Sequence, residues 1–272
     1  EFRRVLFRSV RSLLDERFHV TLMTVPLLGI LFFTILPLLY MISIAFTNYD
    51  HNHLPPKNLF GWVGFRNFGN ILTGKMSGTF FPVLGWTLIW AVLATVTCFF
   101  FGILLALLIN TKGVRFKPMW RTIFVVTMAV PQFVSLLIMR NLLNSSGPLN
   151  TLMINWGWID KPIPFLTDPM LARVTVILVN MWIGIPATML VSTGILQNLP
   201  QDQMEAARID GANAVQVFRH ITFPQILFVM MPSLIQQFVG NINNFNVIFL
   251  LTGGGPTNSN FYGAGSTDLL VT

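Results

Sequence analysis

The amino-acid sequence predicts an all-α chain, a polytopic bundle of membrane-spanning helices. Three observations carry that expectation. First, 53% of the 272 residues are hydrophobic and 10% are charged, against roughly 25% charged in a soluble domain, and mean hydropathy is +0.66. So few charges cannot cover a globule of this size, so lipid is the expected solvent for much of the chain. Second, five acid-free apolar stretches reach the roughly 20 residues that a spanning helix needs. Third, the Lys and Arg behind the net charge of +7 lie between those stretches rather than on one polar module, which favours membrane orientation over nucleic acid as their role.

In chain order, residues 1–9 (EFRRVLFRS) read like the in-frame translation of a sequencing adapter with a cloning site, and are expected to be non-native. The competing reading is an Arg-rich cytoplasmic tail. Residues 10–19 are then a cytoplasmic N-terminal segment. The expected spans are 20–47, 83–110, 123–143, 174–197 and 225–251. With the N-terminus inside, the inner segments 1–19, 111–122 and 198–224 hold most of the 17 Lys and Arg, an excess that narrows once residues 1–9 are removed. The short segment 111–122, with Lys112, Arg115, Lys117 and Arg121 and no acid, casts the clearest vote. The fifth span then points outward, so a sixth is expected to be missing and the C-terminus incomplete. The outer segment 48–82 carries an Asn-Tyr-Asp-His-Asn-His run and Pro55-Pro56; the outer segment 144–173 carries Trp156 and Trp158, which suit the membrane interface.

Polar groups inside spans need a partner or a cavity. The fifth span holds Gln236, Gln237, Asn241, Asn243, Asn244 and Asn246. On one helix Gln237, Asn241 and Asn244 would share a face. Uncharged amides both donate and accept, as a sugar hydroxyl does; the same stripe would also serve as glue between helices. Asn180, Gly184 and Thr188 form a second polar, small stripe in the fourth span. Pro131-Gln132 predicts a kink in the third. The single Cys98 excludes an intrachain disulfide and a cysteine metal cage.

Between the fourth and fifth spans, residues 201–209 read as a short helix: Pro200 precedes it, acids fill its first turn and Gly211 stops it, at positive φ. Residues 213–220 read as a second short helix ending before Pro224. Such a compact unit could dock into a soluble partner; the bland alternative is an amphipathic loop on the lipid surface.

The spacing in this loop is specific. Glu205-Ala206-Ala207, three residues, Gly211, nine residues, Ile221, one residue and Phe223-Pro224 resembles the EAA loop of ABC importer permeases, E-A-A-x3-G-x9-I-x-L-P, with Phe223 in place of Leu. Residues 180–272 further resemble the larger membrane subunits of maltose/maltodextrin-type importers, through Asn243-Asn244-Phe245, the run from Leu250 to Pro256 that includes Thr-Gly-Gly-Gly-Pro, and Thr267-Asp268-Leu269-Leu270-Val271. The resemblance implies a type I ABC importer permease fold in a bacterial inner membrane. It implies a coupling loop over 198–224, with Glu205, Ala206, Ala207, Asp210, Gly211, Ile221 and Pro224 facing an ATPase. It also implies sugar-contacting positions at Asn180, Gly184, Asn241 and Asn244, which keep the residue type, and at Gln132 and Gln237, which replace serine. Met128 and Ala187 stand where the relatives have tyrosine and Gly240 where they have phenylalanine, so stacking surface is lost. The implied partners are a second homologous permease subunit, two ATPase subunits that bind ATP and magnesium, an extracytoplasmic sugar-binding protein, an oligosaccharide of the maltodextrin kind and the lipid bilayer. No cofactor, metal, catalytic residue or nucleic acid is expected for this chain.

Other motifs are weaker. Gly69 to Met76 nearly fits a phosphate-binding loop, but Met76 replaces the magnesium-binding Ser or Thr. His51 and His53 lack the further ligands of a metal site. A secondary transporter would carry a carboxylate or His inside its bundle, and these spans carry none; a membrane scaffold gives no reason for the loop spacing.

Overall fold

The computed structural model describes residues 18, 20, 22–53, 55–56, 58–111 and 113–272. The stretch 1–9, and the segment 10–19 apart from Phe18, lie outside the described residues, as does Lys112, so their part in the charge count lies outside too. Among the described residues the secondary structure is helical, with two isolated antiparallel bridges, Thr47–Trp62 and Thr257–Gly265. The chain divides into two compact units, Glu1–Ser77 and Gly78–Thr272.

In the first unit, α1 (Leu22–Ile44) is an apolar helix of spanning length. It contains a π-turn, Leu31–Ile35, that ends two residues before Pro37. A proline ring crowds the carbonyl four residues back and offers no N–H; the wider π-turn relieves both problems. The chain then folds on itself, with Asn48 N–H donating to Gly61 O at 3.0 Å and Val63 N–H to Phe46 O at 2.8 Å. α2 (Arg66–Leu72) follows. Phe65 and Phe68 pack on Phe46 with ring centroids 5.4 and 5.1 Å away.

The second unit begins in α3 (Ser77–Asn110). It continues through α4 (Lys117–Ala129), α5 (Gln132–Leu142), α6 (Pro148–Asn155) and α7 (Pro169–Asn198). The last elements are α8 (Gln201–Ile209), α9 (Ala214–Ile242) and α10 (Phe245–Leu251). Ala94, Cys98, Gly102 and Ala106 recur every fourth residue on α3 and are buried. Their small side chains admit α7: a Cβ on Gly102 would lie 2.6 Å from Thr188 Cβ, and one on Gly184 2.8 Å from Cys98 Sγ. Close approach of this kind is how helices associate where lipid supplies no hydrophobic drive. Trp86 and Trp90 centre the main core with Leu136, Val176, Val179, Val247, Ile248 and Leu251. Their indole N–H groups donate to Thr267 O at 3.1 Å and Asn241 O at 3.0 Å, so the rings are buried without an orphaned donor.

Four expectations are corrected. The third span is not one helix over 123–143: α4 and α5 meet at 89°. The residue before a proline avoids helical dihedrals, and Val130 is extended at φ −76°, ψ 124°. The fifth span does not run unbroken over 225–251. Asn244 Oδ1 accepts the N–H of Val247 at 3.2 Å and starts α10 as its N-cap, a role asparagine fills well. Residues 213–220 do not form a separate helix. Asn213 and Gln216 make a capping box that opens α9. A π-turn at Phe218–Thr222, two residues ahead of Pro224, carries the helix past that proline, the same solution as at Pro37. The fourth span starts earlier than expected because Asp168 Oδ1 accepts from Met170 N–H (3.0 Å) and Leu171 N–H (2.8 Å), with Pro169 next to it.

Candidate functional site

α8 is held by its own termini. Asp202 lies in its first turn and Arg208 in its last, each matching the helix dipole. At its end Ala212 N–H donates to Ala207 O at 2.9 Å and Gly211 N–H to Arg208 O at 3.1 Å, the two bonds of a Schellman motif. Gly211 sits at φ +86°, the left-handed conformation expected there. Thr222 Oγ donates to Met204 Sδ at 3.9 Å and Gln225 Nε2 to Gln203 Oε1 at 2.7 Å, tying α8 to α9. Phe223 packs between Phe218 (5.8 Å) and Phe99 (6.4 Å), with the rings tilted, and so ties the loop to α3. Met204, Ala207 and Ile221 are half-buried, whereas Glu205, Ala206, Asp210, Gly211 and Pro224 are exposed. Ile209 is 86% exposed and Val215 72%. A compact knob, tied to α9 and α3, thus leaves Glu205, Ala206 and two apolar side chains uncovered.

The amide residues do not form one group. Asn180 and Gly184 face α3, with Asn180 Nδ2 4.0 Å from Cys98 Sγ, so that stripe packs helix on helix. Asn241 is buried and donates to Thr95 Oγ1 at 3.0 Å. Asn244 is spent on capping α10 and lies past the break, so it does not share a continuous helical face with Gln237 and Asn241. Gln237 is half-buried and Gln132 exposed, and neither side chain has a hydrogen-bond partner among the described residues. Gln132 lines a cavity of about 300 Å³ at the α4–α5 bend, together with Thr127, Met128, Ser135 and Trp182.

Two polar assemblies went unread in the sequence. At one end of the unit, Lys117 Nζ donates to Asn110 O at 2.8 Å and Arg121 to Asn110 Oδ1 at 2.6 Å. Asn110 Nδ2 reaches Thr193 Oγ1 at 3.3 Å, and Gln197, with its oxygen turned to accept, receives Arg121 at 2.9 Å. At the other end, the run from Thr252 folds back. Thr267 Oγ1 donates to Gly255 O at 2.7 Å, Asp268 Oδ2 accepts Gly265 N–H at 2.7 Å, and Arg173 Nε donates to Ser266 O at 2.7 Å. The Arg173 guanidinium lies 4.6 Å over the Trp86 ring. Gly254 is required because a Cβ there would strike the Asp268 carboxylate. The Lys and Arg cluster at 111–122 and the Thr267-Asp268 pair were visible as residues; their partners come from distant helices.

Among the described residues no group of three or more His, Cys, Asp or Glu is placed to hold a metal. His53 is engaged by Asp50 at 2.7 Å, which holds the Asp50 carboxyl below the ordinary carboxylate range. Gly69 lies within α2 rather than in a phosphate-binding loop.

A family model described as binding-protein-dependent transport system inner membrane component matches residues 98–267. The galactooligosaccharides transport system permease protein GanP of Bacillus subtilis is 45% identical over 249 residues, covering 90% of this chain and 59% of that protein. The maltodextrin transport system permease protein MdxF of the same organism is 41% identical over 258 residues, covering 92% and 59%. The maltose/maltodextrin permease protein MalF of Salmonella typhimurium is 38% identical over 212 residues, covering 77% and 41%. The chain therefore spans 59% of the length of the first two of these relatives. A chain of a bacterial alginate ABC transporter, solved with an alginate pentasaccharide-bound periplasmic protein, superposes with a TM-score of 0.70 at 22% identity, over 94% of this chain and 83% of that one. That likeness is one of fold.

Proposed function

The chain belongs to the family of binding-protein-dependent transport system inner membrane components and is a multi-pass membrane protein, and from that premise we propose that it is a permease subunit of an ATP-driven oligosaccharide importer. One observation carries the reading: the knob from Glu205 to Pro224 combines the family's loop spacing with a rigid turn and an uncovered outer face. In this reading Glu205, Ala206, Ala207, Asp210, Gly211, Ile221 and Pro224 form or support the surface that meets a separate ATPase, which binds ATP and magnesium; this chain does no covalent chemistry. The knob then faces the cytoplasm, with the N-terminus on the same side of a bacterial inner membrane. A second permease subunit, two ATPase subunits and an extracytoplasmic sugar-binding protein complete the assembly.

The cargo is an uncharged oligosaccharide. Residues 77–110 of α3, 174–198 of α7 and 221–242 of α9 contain no Asp, Glu, Lys or Arg, so they offer no counter-charge to an ionic cargo, and the free amides of Gln132 and Gln237 offer donors and acceptors to hydroxyls. Trp182 supplies ring surface beside Gln132. Of the other implied positions, Asn241 would join this path by exchanging Thr95 for a sugar hydroxyl during alternation, whereas Asn180 and Gly184 would support it by packing α7 on α3 and Asn244 by capping α10. The names of the relatives support galacto-oligosaccharide or maltodextrin as the class.

The test is uptake. The chain, co-reconstituted in proteoliposomes with its partner permease, ATPase and binding protein, should accumulate labelled maltotriose or galactotriose only when ATP is present on the knob side. Failure to bind any ATPase subunit, or ATP-independent uptake, would overturn the reading.

A further inference from the structure

A second saccharide site lies in the first unit. We propose that the folded segment 45–76 is a carbohydrate-binding cup for a neutral mono- or disaccharide unit. This goes beyond the importer reading and borrows from it only the choice of probe.

The segment borders an open cavity of about 490 Å³ lined by Asn48, Tyr49, Asp50, Arg66, Asn67 and Asn70 among others, within the roughly 300–1,000 Å³ of small-molecule sites. Its frame is fixed before any ligand arrives. Asn67 Nδ2 donates to the carbonyls of Ala45 (2.9 Å) and Thr47 (2.8 Å). Asn48 Oδ1 takes the Gly61 N–H, and the Tyr49 ring sits edge-on to Phe60 at 5.6 Å. These bonds sort the remaining hydrogen-bonding capacity. Asn48 keeps its NH₂ as a donor and Asn67 keeps its oxygen as an acceptor. Asp50 commits one oxygen to His53 and the nearby backbone and keeps the other. The Tyr49 hydroxyl, the Arg66 guanidinium and the Asn70 amide have no hydrogen-bond partner among the described residues.

The wall of the cavity therefore carries both free donors and free acceptors. A sugar hydroxyl gives and takes a hydrogen bond at once and matches such a wall. A phosphate or carboxylate ligand would only accept, and would meet the Asp50 carboxylate. Preorganisation lowers the ordering cost of binding.

The experiment uses the full chain in lipid nanodiscs with a diazirine-bearing maltotriose, photolysed and mapped by peptide mass spectrometry. Labelling of peptides within 45–76, competed by unlabelled maltotriose, is expected. Arg66→Gln with Asn70→Ala should lower it at least ten-fold, and Tyr49→Phe, which keeps the ring contact, about three-fold. All three side chains are exposed, and an unchanged thermal transition checks that the fold survives. Label confined to 117–142 or 223–251, label unaffected by the double variant, or stronger competition by a uronic-acid trisaccharide would overturn the proposal. Labelling of 45–76 in nanodiscs, beside failure of the complete complex in proteoliposomes to take up sugar with ATP, would refute the importer reading and leave the cup standing.

Discussion

Replacing Gly211 with valine isolates the geometry of the knob. No heavy atom lies within 4 Å of a Cβ placed on Gly211, so a side chain meets no neighbour, and the only penalty is its own backbone at φ +86°. Holding a non-glycine residue left-handed costs about 1–2 kcal/mol. The alternative is to reopen the turn and lose two Schellman bonds, each worth about 0.5–1.5 kcal/mol. By either route the docking shape loses about 2 kcal/mol, or roughly 30-fold in population at 1.4 kcal/mol per decade. Asparagine tolerates the left-handed region better, so the order should be Gly, then Asn, then Ala, then Val. The assay is co-purification of the ATPase at limiting concentration, with ATP-driven uptake beside it. Membrane insertion and thermal transition should be unchanged across the series while recruitment falls about 30-fold for valine. A valine variant that recruits and transports like the native chain, or one indistinguishable from asparagine, would refute the reasoning.

Other outcomes follow from packing and charge. Gly102→Leu drives a side chain into Thr188 and should destabilise the detergent-solubilised protein by about 1–3 kcal/mol; Gly85→Ala on the same helix, with open space around it, should not, and both are read by thermal unfolding. Thr95→Val removes the partner of the buried Asn241 amide and should cost about 1–3 kcal/mol, with Thr95→Ser restoring most of it. Asp50 has a depressed pKa through its hydrogen bond to His53. Its contribution to the fold is therefore present above the ordinary carboxylate range and is lost as pH falls through the lowered value, below about pH 4. Carboxyl-carbon NMR should show His53→Gln moving that titration upward; an unmoved midpoint would count against the pair.

Local rules were legible where local chemistry decides. The bounds of α8 and the left-handed Gly211 follow from a proline, a dipole match and a glycine within a dozen residues. The bend at Pro131 was legible in kind but not in size, because a proline fixes where a helix yields and the surrounding helices fix how far. The amide stripe misled for a physical reason: Asn244 serves as a cap in preference to a helical face, and capping competes with helix continuation wherever asparagines cluster. Asn180, Gly184 and Thr188 share one face as expected, yet face α3. The matching signal, Ala94, Cys98, Gly102 and Ala106 at intervals of four, was present but passes for ordinary apolar filler until the partner helix is known. The fold-back of Thr267 onto Gly254 and Gly255 joins residues about a dozen positions apart through loop geometry that no periodicity encodes.

α9 has a mechanical consequence. It runs for 29 residues, about 43 Å at 1.5 Å per residue. One tip adjoins the Gly211 turn and the other carries Asn241. A rod of that length tilted about its centre by about 5° swings each tip by about 2 Å in opposite senses, more than a hydrogen bond survives. The 3.0 Å link from Asn241 to Thr95 would thus act as a latch on the far arm of a seesaw if, as proposed, a separate ATPase presses the near arm.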